Sequence, residues 1–392
     1  MGRLLRVALA TLLAVGMAHP ALAEQNFYAP SSRHAGYDTQ LAQKGLQALS
    51  VTIGGRFIAS LDDRDPVPGA PPVWPIRSIH QWPGLYFIAR FRGDKVAAAF
   101  DDDTSQYALS IDGGPRILIN KPGDRPVWFT TSGKGKHTVR LEKISESMGH
   151  SGAFGGFFVL KPAKPLPAPP SSARQVELIG DSYAAGYGTT STKHECTADE
   201  IHDTTDTQQA FGALLGKHYD ADYQINAVSG IGMVRNYDDS PGDVMPALYP
   251  YTLFDKSITW SDPSWNPQVV VIALGDNDFA TPVKAGGKWA DETALTSDFV
   301  TTYVRFVEDA RKTHPRAIFI LMDYGEPQLI PALAQIAAQL KTDGDNRILT
   351  WSAGTGFEQT GCDWHLSLND HKRIASGLEA FIDAQADIWN GN

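Results

Sequence analysis

Ser182 stands in "VELIGDSYAAGYG", residues 176–188, directly after a short apolar run and between Asp181 and Tyr183. A serine in that place is ordinarily the N-cap of the next helix. It becomes a nucleophile if the chain also brings up an imidazole to take its proton, a carboxylate to orient that imidazole, and donors for an oxyanion. Near the carboxyl terminus "GCDWHLS" supplies Asp363 and His365. In an extended segment residues i and i+2 project to one side, so this spacing predicts that the carboxylate reaches the imidazole. Gly230 ends "DYQINAVSG" and Asn277 lies in "GDND". A glycine lets a backbone N–H approach closely, and an asparagine offers an uncharged N–H. Taken alone, Gly230 and Asn277 read as turn residues. Together with Ser182 and His365 they suit acyl transfer through a serine.

Elements that would position these groups follow from periodicity. After residue 173, apolar runs of strand length ("QVELIG", "DYQINAVSG", "QVVVIALGDND", "RAIFILMDYG") alternate with stretches whose apolar residues recur at three and four. Such alternation predicts a parallel sheet covered on both faces by helices. Ser182, Gly230 and Asn277 each fall at the carboxyl end of a run, where such folds gather function. A final helix is expected in "DHKRIASGLEAFIDAQADIW", giving the Asp363/His365 segment a rigid base.

Between residues 45 and 160 the pattern differs. "LSVTIGGRFIAS", "LYFIARFRG", "KVAAAFDD", "YALSIDGG", "HTVRLEKI" and "FGGFFVL" read as short strands separated by Gly, Asp and Pro clusters, which indicates an antiparallel sandwich. "KPAKPLPAPPSS" follows, and prolines at that density read as a stiff extended linker continuing neither ladder nor helix. The expected organisation is a signal peptide at 1–23, a β-sandwich domain at 24–160, a linker at 161–173 and an α/β domain at 174–392.

The signal assignment rests on Arg3 and Arg6, the apolar stretch from Leu4 to Met17, and Ala21-Leu22-Ala23. That stretch is too short for a membrane span, so export to the periplasm or outside the cell is expected. Removing Arg3 and Arg6 leaves 32 basic against 44 acidic residues, near −12. Nucleic acid and anionic membrane are poor partners for such a surface. Cys196 and Cys362 are the two cysteines, and an oxidising compartment favours a disulfide between them. An alternative zinc set of His194, Cys196, Asp199 and His202 lacks paired ligand spacing, so no metal and no cofactor is expected.

The blocks "GDSYAAGYG", "AVSGIGMVRNY", "WNPQVVVIALGDNDF" and "GCDWH", in this order after a β-sandwich, resemble carbohydrate esterase family two within the SGNH (GDSL-type) hydrolases. The resemblance spans nearly the whole mature chain. It implies a flavodoxin-like SGNH hydrolase domain preceded by a jelly-roll sandwich, and acetylxylan esterase or related polysaccharide deacetylase activity. It implies Ser182 as nucleophile, His365 as general base and then acid, Asp363 as orienting carboxylate, and an oxyanion hole from the N–H groups of Ser182 and Gly230 and the Asn277 amide. Some relatives lack the triad carboxylate. The presence of Asp363 favours a triad over a dyad, with a turn residue as its alternative role. Tyr183, Asp276 and Leu366 depart from the family's usual residues, and all three flank the expected pocket.

Trp364 is the expected sugar-stacking aromatic, with Trp260 and Trp265 as weaker candidates for which core packing is the alternative. His202 and His371 are expected on the surface or as capping residues. The expected protein is a monomeric carbohydrate O-acetyl esterase acting on acetylated polysaccharide such as xylan or glucomannan. A lipase or thioesterase and a non-hydrolytic carbohydrate-binding protein are the competing readings.

Overall fold

The computed structural model describes residues 27–28, 45–61, 76–147, 149–386 and 388–389. The expected signal peptide lies outside them.

Two antiparallel sheets form the amino-terminal half. One is ordered Phe27–Tyr28, Val51–Gly54, Tyr86–Arg92, Lys136–Lys143, Gln106–Ile111, Ile117–Asn120. The other runs Val127–Thr130, Lys95–Asp101, Gly152–Leu160, Ile76–His80, Ile58–Leu61, with Leu46–Ala48 also paired to Gly152–Leu160. Alternating inward residues such as Phe87, Ala89, Phe91, Val139 and Leu141 meet Phe100, Phe154 and Phe157 in one buried core, the packing expected of a sandwich.

The stretch read as a pure linker is corrected in part. Lys164–Leu166 pairs antiparallel with Tyr86–Arg92, Pro165 opposite Phe91. Proline is compatible with a ladder at an edge, where its missing N–H costs no bond.

The second half holds a five-stranded parallel sheet, ordered Asp222–Ala227, Gln175–Gly180, Val269–Ala273, Ile318–Asp323, Ile348–Ser352. In order of sequence this is 2-1-3-4-5, the flavodoxin-like arrangement, whose switch point flanks the first strand. Val269–Ala273 is buried at every position, as a central strand covered on both faces requires. Helix Glu292–Thr313 begins at Asp291, whose side chain accepts from Ala294 N, and buries Leu295, Phe299, Tyr303, Phe306 and Ala310 along one stripe. The last helix, Leu368–Asp383, opens with a reciprocal capping box between Ser367 and Asp370. That cap lies two residues after His365 and fixes where the chain before it must run.

Candidate active site

Ser182 does not cap its helix. Asp181 does, its Oδ1 accepting from Tyr183 N at 3.1 Å, while Ser182 occupies the first helical position of Ser182–Ala185. The serine hydroxyl is thereby left out of the cap. His365 Nε2 lies 2.9 Å from Ser182 Oγ. On the other side of the ring, Nδ1 is 2.9 Å from the main-chain oxygen of Cys362 and 3.2 Å from that of Asp363. Carbonyl oxygens only accept, so Nδ1 carries the hydrogen and Nε2 is free to take the serine proton.

Asp363 is a site residue that the structure corrects. Its carboxylate accepts from the Tyr187 hydroxyl at 2.8 Å, while the imidazole is held by main-chain oxygens. The segment is not extended: Cys362–Trp364 forms a tight turn with Asp363 at φ 48° and Trp364 at φ 57°. Left-handed backbone swings the Asp363 side chain away from the ring and turns its carbonyl toward it. Cys362 N donates to Gly188 O and Asp363 N to His194 O. Gly188 permits this approach, since its φ is 56° and a Cβ there would stand 2.5 Å from Cys362 Cβ. The Cys196–Cys362 disulfide closes the same contact, so Cys196 is no free thiolate for zinc.

The His365 ring lies between two tyrosines, with the Tyr187 ring 4.3 Å away and tilted 33°, and the Tyr183 ring edge-on at 5.4 Å. Burial holds the imidazole pKa below the ordinary histidine value, against the opposing pull of the two carbonyls and the Asp363 charge. Tyr187, five residues after Ser182, was not singled out from sequence. Its place in "GDSYAAGYG" was the available signal.

Ser182, Gly230, Asn277 and His365 line one cavity of about 640 Å³, with Asp181, Tyr183, Tyr187, Asp276, Asp363 and Trp364 also in its wall. Gly230 has φ 78°, a conformation that favours glycine. Asn277 Nδ2 is 2.9 Å from Ile231 O and 3.2 Å from Asp181 Oδ2. Asp278 accepts from the N–H groups of Met233, Val234 and Arg235. These bonds lock the Gly230 loop to the Asn277 turn.

Trp364 is 58 % exposed at the rim and stacks on His194 at 4.7 Å. Trp260 and Trp265 are corrected: they line a different cleft, with Arg56, Tyr249 and His314. Trp265 is buried and donates to Glu177 Oε2 at 3.0 Å, a core role. His371 is no surface residue, and the helix end it meets is not its own but that of Phe211–His218. It is buried, its Nδ1 accepts from Phe211 N at 3.3 Å, and burial brings its pKa down to about 3. His202 is half-buried and meets Asn120 Oδ1 at 3.1 Å.

Comparison with known proteins identifies the family and agrees with the fold. Residues 75–169 match the carbohydrate esterase 2 N-terminal family and residues 178–356 the GDSL-like lipase/acylhydrolase family. An acetylxylan esterase/glucomannan deacetylase of Cellvibrio japonicus is 40% identical over 351 residues, 89% of this chain and 94% of that protein. A solved carbohydrate esterase, described as having an active site with divergent catalytic and non-catalytic binding functions, superposes with TM-score 0.80 at 38% identity. The match covers 88% of this chain and 100% of that one. The family two carbohydrate esterase of Clostridium thermocellum, solved with cellohexaose, gives TM-score 0.69 at 25% identity, over 85% and 98%. The chain belongs to carbohydrate esterase family 2 and is a carboxylic ester hydrolase.

Proposed function

We propose that this protein is an exported esterase that removes O-acetyl groups from polysaccharides such as xylan or glucomannan, by a Ser182–His365 dyad. The observation that carries the reading is the 2.9 Å contact between Ser182 Oγ and His365 Nε2 in a cavity also lined by Gly230 and Asn277. Ser182 Oγ attacks the acetyl carbonyl carbon as His365 Nε2 takes its proton. The N–H groups of Ser182 and Gly230 and the Asn277 amide receive the oxyanion, Asn277 releasing its longer bond, to Asp181, to do so. The imidazolium gives its proton to the departing sugar oxygen. Water, deprotonated by the same nitrogen, then attacks the acetyl carbon, and the imidazolium returns that proton to Ser182 Oγ as acetate leaves. Where a triad uses a carboxylate to orient the ring, the carbonyl oxygens of Cys362 and Asp363 do so here.

The sugar is assigned to the exposed face of Trp364, since a flat indole stacks on the apolar face of a pyranose. The relative from Cellvibrio japonicus, named for xylan and glucomannan, supports that substrate class. The apolar run at residues 4–17 followed by Ala21-Leu22-Ala23 supports export.

The test is acetate release from acetylated xylan, acetylated glucomannan and cellobiose acetates, wild type beside Ser182→Ala. The variant should lose roughly 10⁶-fold in kcat. Retained hydrolysis would remove the dyad, and a preference for nitrophenyl octanoate over nitrophenyl acetate would favour a lipase.

A further inference from the structure

The sandwich reaches the active site through one carboxylate. Glu146 Oε1 accepts from Ser229 N at 2.8 Å and Oε2 from Ser229 Oγ at 2.5 Å. Ser229 is the residue before Gly230. Both carboxylate oxygens thus grip the turn that presents the Gly230 N–H to the cavity. The anchor is itself rigid. Glu146 follows the strand Lys136–Lys143, and the segment 143–147 is tied into the sandwich at several points. Lys143 Nζ, fully buried, donates to Gln81 O at 2.7 Å and to Ser147 Oγ at 2.6 Å. Lys143 N donates to Leu85 O and Ile144 N to Gln106 O. The same segment touches the nucleophile's support: Ile144 O accepts from Thr207 N at 2.9 Å, and Thr207 Oγ1 is 2.6 Å from Ala185 O, in the Ser182 helix.

From this geometry we infer that Glu146 is a positioning residue for the oxyanion hole, contributed by the sandwich to the hydrolase domain. The inference rests on the reading of Gly230 N–H as an oxyanion donor. Two hydrogen bonds to one residue fix both position and rotation of the peptide group that follows, and misplacement of a donor by about 1 Å costs up to roughly 100-fold in rate. The sandwich then does more than pack beside the catalytic sheet or widen a sugar surface.

Glu146→Ala should lower kcat on nitrophenyl acetate and on cellobiose acetates by roughly 10- to 100-fold. KM and the affinity for unacetylated cello-oligosaccharide should move little. The inhibition constant of a boronic acid that forms a tetrahedral adduct on Ser182 should rise in parallel with the loss of kcat, a change that loosened packing alone would not give. Glu146→Gln keeps an acceptor for Ser229 N and should recover most of the rate. Ser229→Ala, which loses only the hydroxyl bond, should fall between, and combining it with Glu146→Ala should add nothing further. If Glu146→Ala fails to fold, Glu146→Gln and Ser229→Ala carry the test. A kcat within twofold of wild type in Glu146→Ala, or a fall in kcat with unchanged boronate inhibition, overturns the inference. If Ser182→Ala remains active, the underlying reading has failed instead, whatever the Glu146 variants do.

Discussion

Glu177, within the strand Gln175–Gly180, and Asp181, the residue just past its carboxyl end, stand four residues apart, roughly 13 Å of extended chain, and their surroundings are opposite. At the amino end, Glu177 Oε1 accepts from Asn226, Tyr249 and Arg56, and Oε2 from Trp265, with His314 at 3.1 Å. Burial pushes that carboxyl up, but His314, Arg56 and the Trp265 N–H outweigh it and bring its pKa down to about 2. At the carboxyl end no cation among the described residues pairs with the buried acids in and just behind the cavity wall. Burial raises Asp181 to about 7, with the charges of Asp278 and Glu326 adding to it against the Tyr183 N–H. Burial holds Asp278 at about 6 despite three backbone donors. Asp276 is pushed well above the usual carboxylate range by burial and by the neighbouring acids. At one end the Glu177 carboxylate is satisfied and ties the domains together, because Arg56 comes from the sandwich. The other end keeps polar groups underused beside the nucleophile, as sites often do.

Removing the satisfied acid should have the largest effect on folding. Glu177→Gln leaves the Arg56 guanidinium buried without its countercharge, and breaking such a pair from one side costs about 3–5 kcal/mol. Denaturant unfolding should show that loss, while kcat measured on the fraction still folded stays near wild type. A variant as stable as wild type would mean that the hydrogen bonds of Arg56 to Gln224 and to the Tyr249 carbonyl already satisfy it. The contrast between the two ends would then be one of geometry alone.

The same contrast explains how far sequence could be read. An unbroken Val/Ile run announced the central strand Val269–Ala273, and the apolar residues Val176, Leu178 and Ile179 announced its neighbour Gln175–Gly180 despite Glu177 among them. Ile348–Ser352 was missed because this short edge strand buries only Ile348 and leaves no apolar run. Ile117–Asn120 and Val127–Thr130 escaped for a similar reason, each burying a single residue. In the site, Ser182, Gly230, Asn277 and His365 were legible because each follows a strand or precedes a helix in a recognisable block. Asp363 was misplaced because residue type does not reveal a left-handed turn. Trp260 and Trp265 were overvalued because an indole serves a core and a sugar surface equally well. Glu146 carried no local signal, since its meaning depends on a loop 83 residues away.

Asp363 gives a smaller effect than Glu177 and separates a dyad from a triad. A carboxylate bonded to the imidazole is worth about 10⁴ in kcat when converted to an amide. Here Asp363→Asn should cost less than about tenfold, because the ring is held by carbonyl oxygens and an asparagine oxygen can still accept from Tyr187. Neutral His365 is the active form, so kcat/KM rises with pH through an ionisation below the ordinary histidine value. The Asp363 charge favours the imidazolium, so its loss should move that limb to lower pH still. A profile of kcat/KM on nitrophenyl acetate over about pH 4 to 8 reads both. A loss near 10⁴ would restore the triad, and a limb moving upward would mean that the Asp363 charge does not act on the ring.

Asp276 should give the smallest change and the one with the clearest sign. Its two carboxylate oxygens are buried without a donor among the described residues, within hydrogen-bonding reach of Glu326. A carboxyl whose folded pKa is raised binds more protons folded than unfolded, so its stabilising contribution is complete below the unfolded value and declines as pH rises through the folded one. Asp276→Asn removes that slope and turns an amide N–H toward Glu326. Its Tm should therefore exceed that of wild type at about pH 8, by roughly 2–4 °C for each kcal/mol relieved, and the gap should close as pH falls toward the ordinary aspartate value. A Tm below wild type at about pH 8 would mean that the ionised carboxylate holds the cavity wall in place, and that the crowded end of the sheet is as well satisfied as the end built around Glu177.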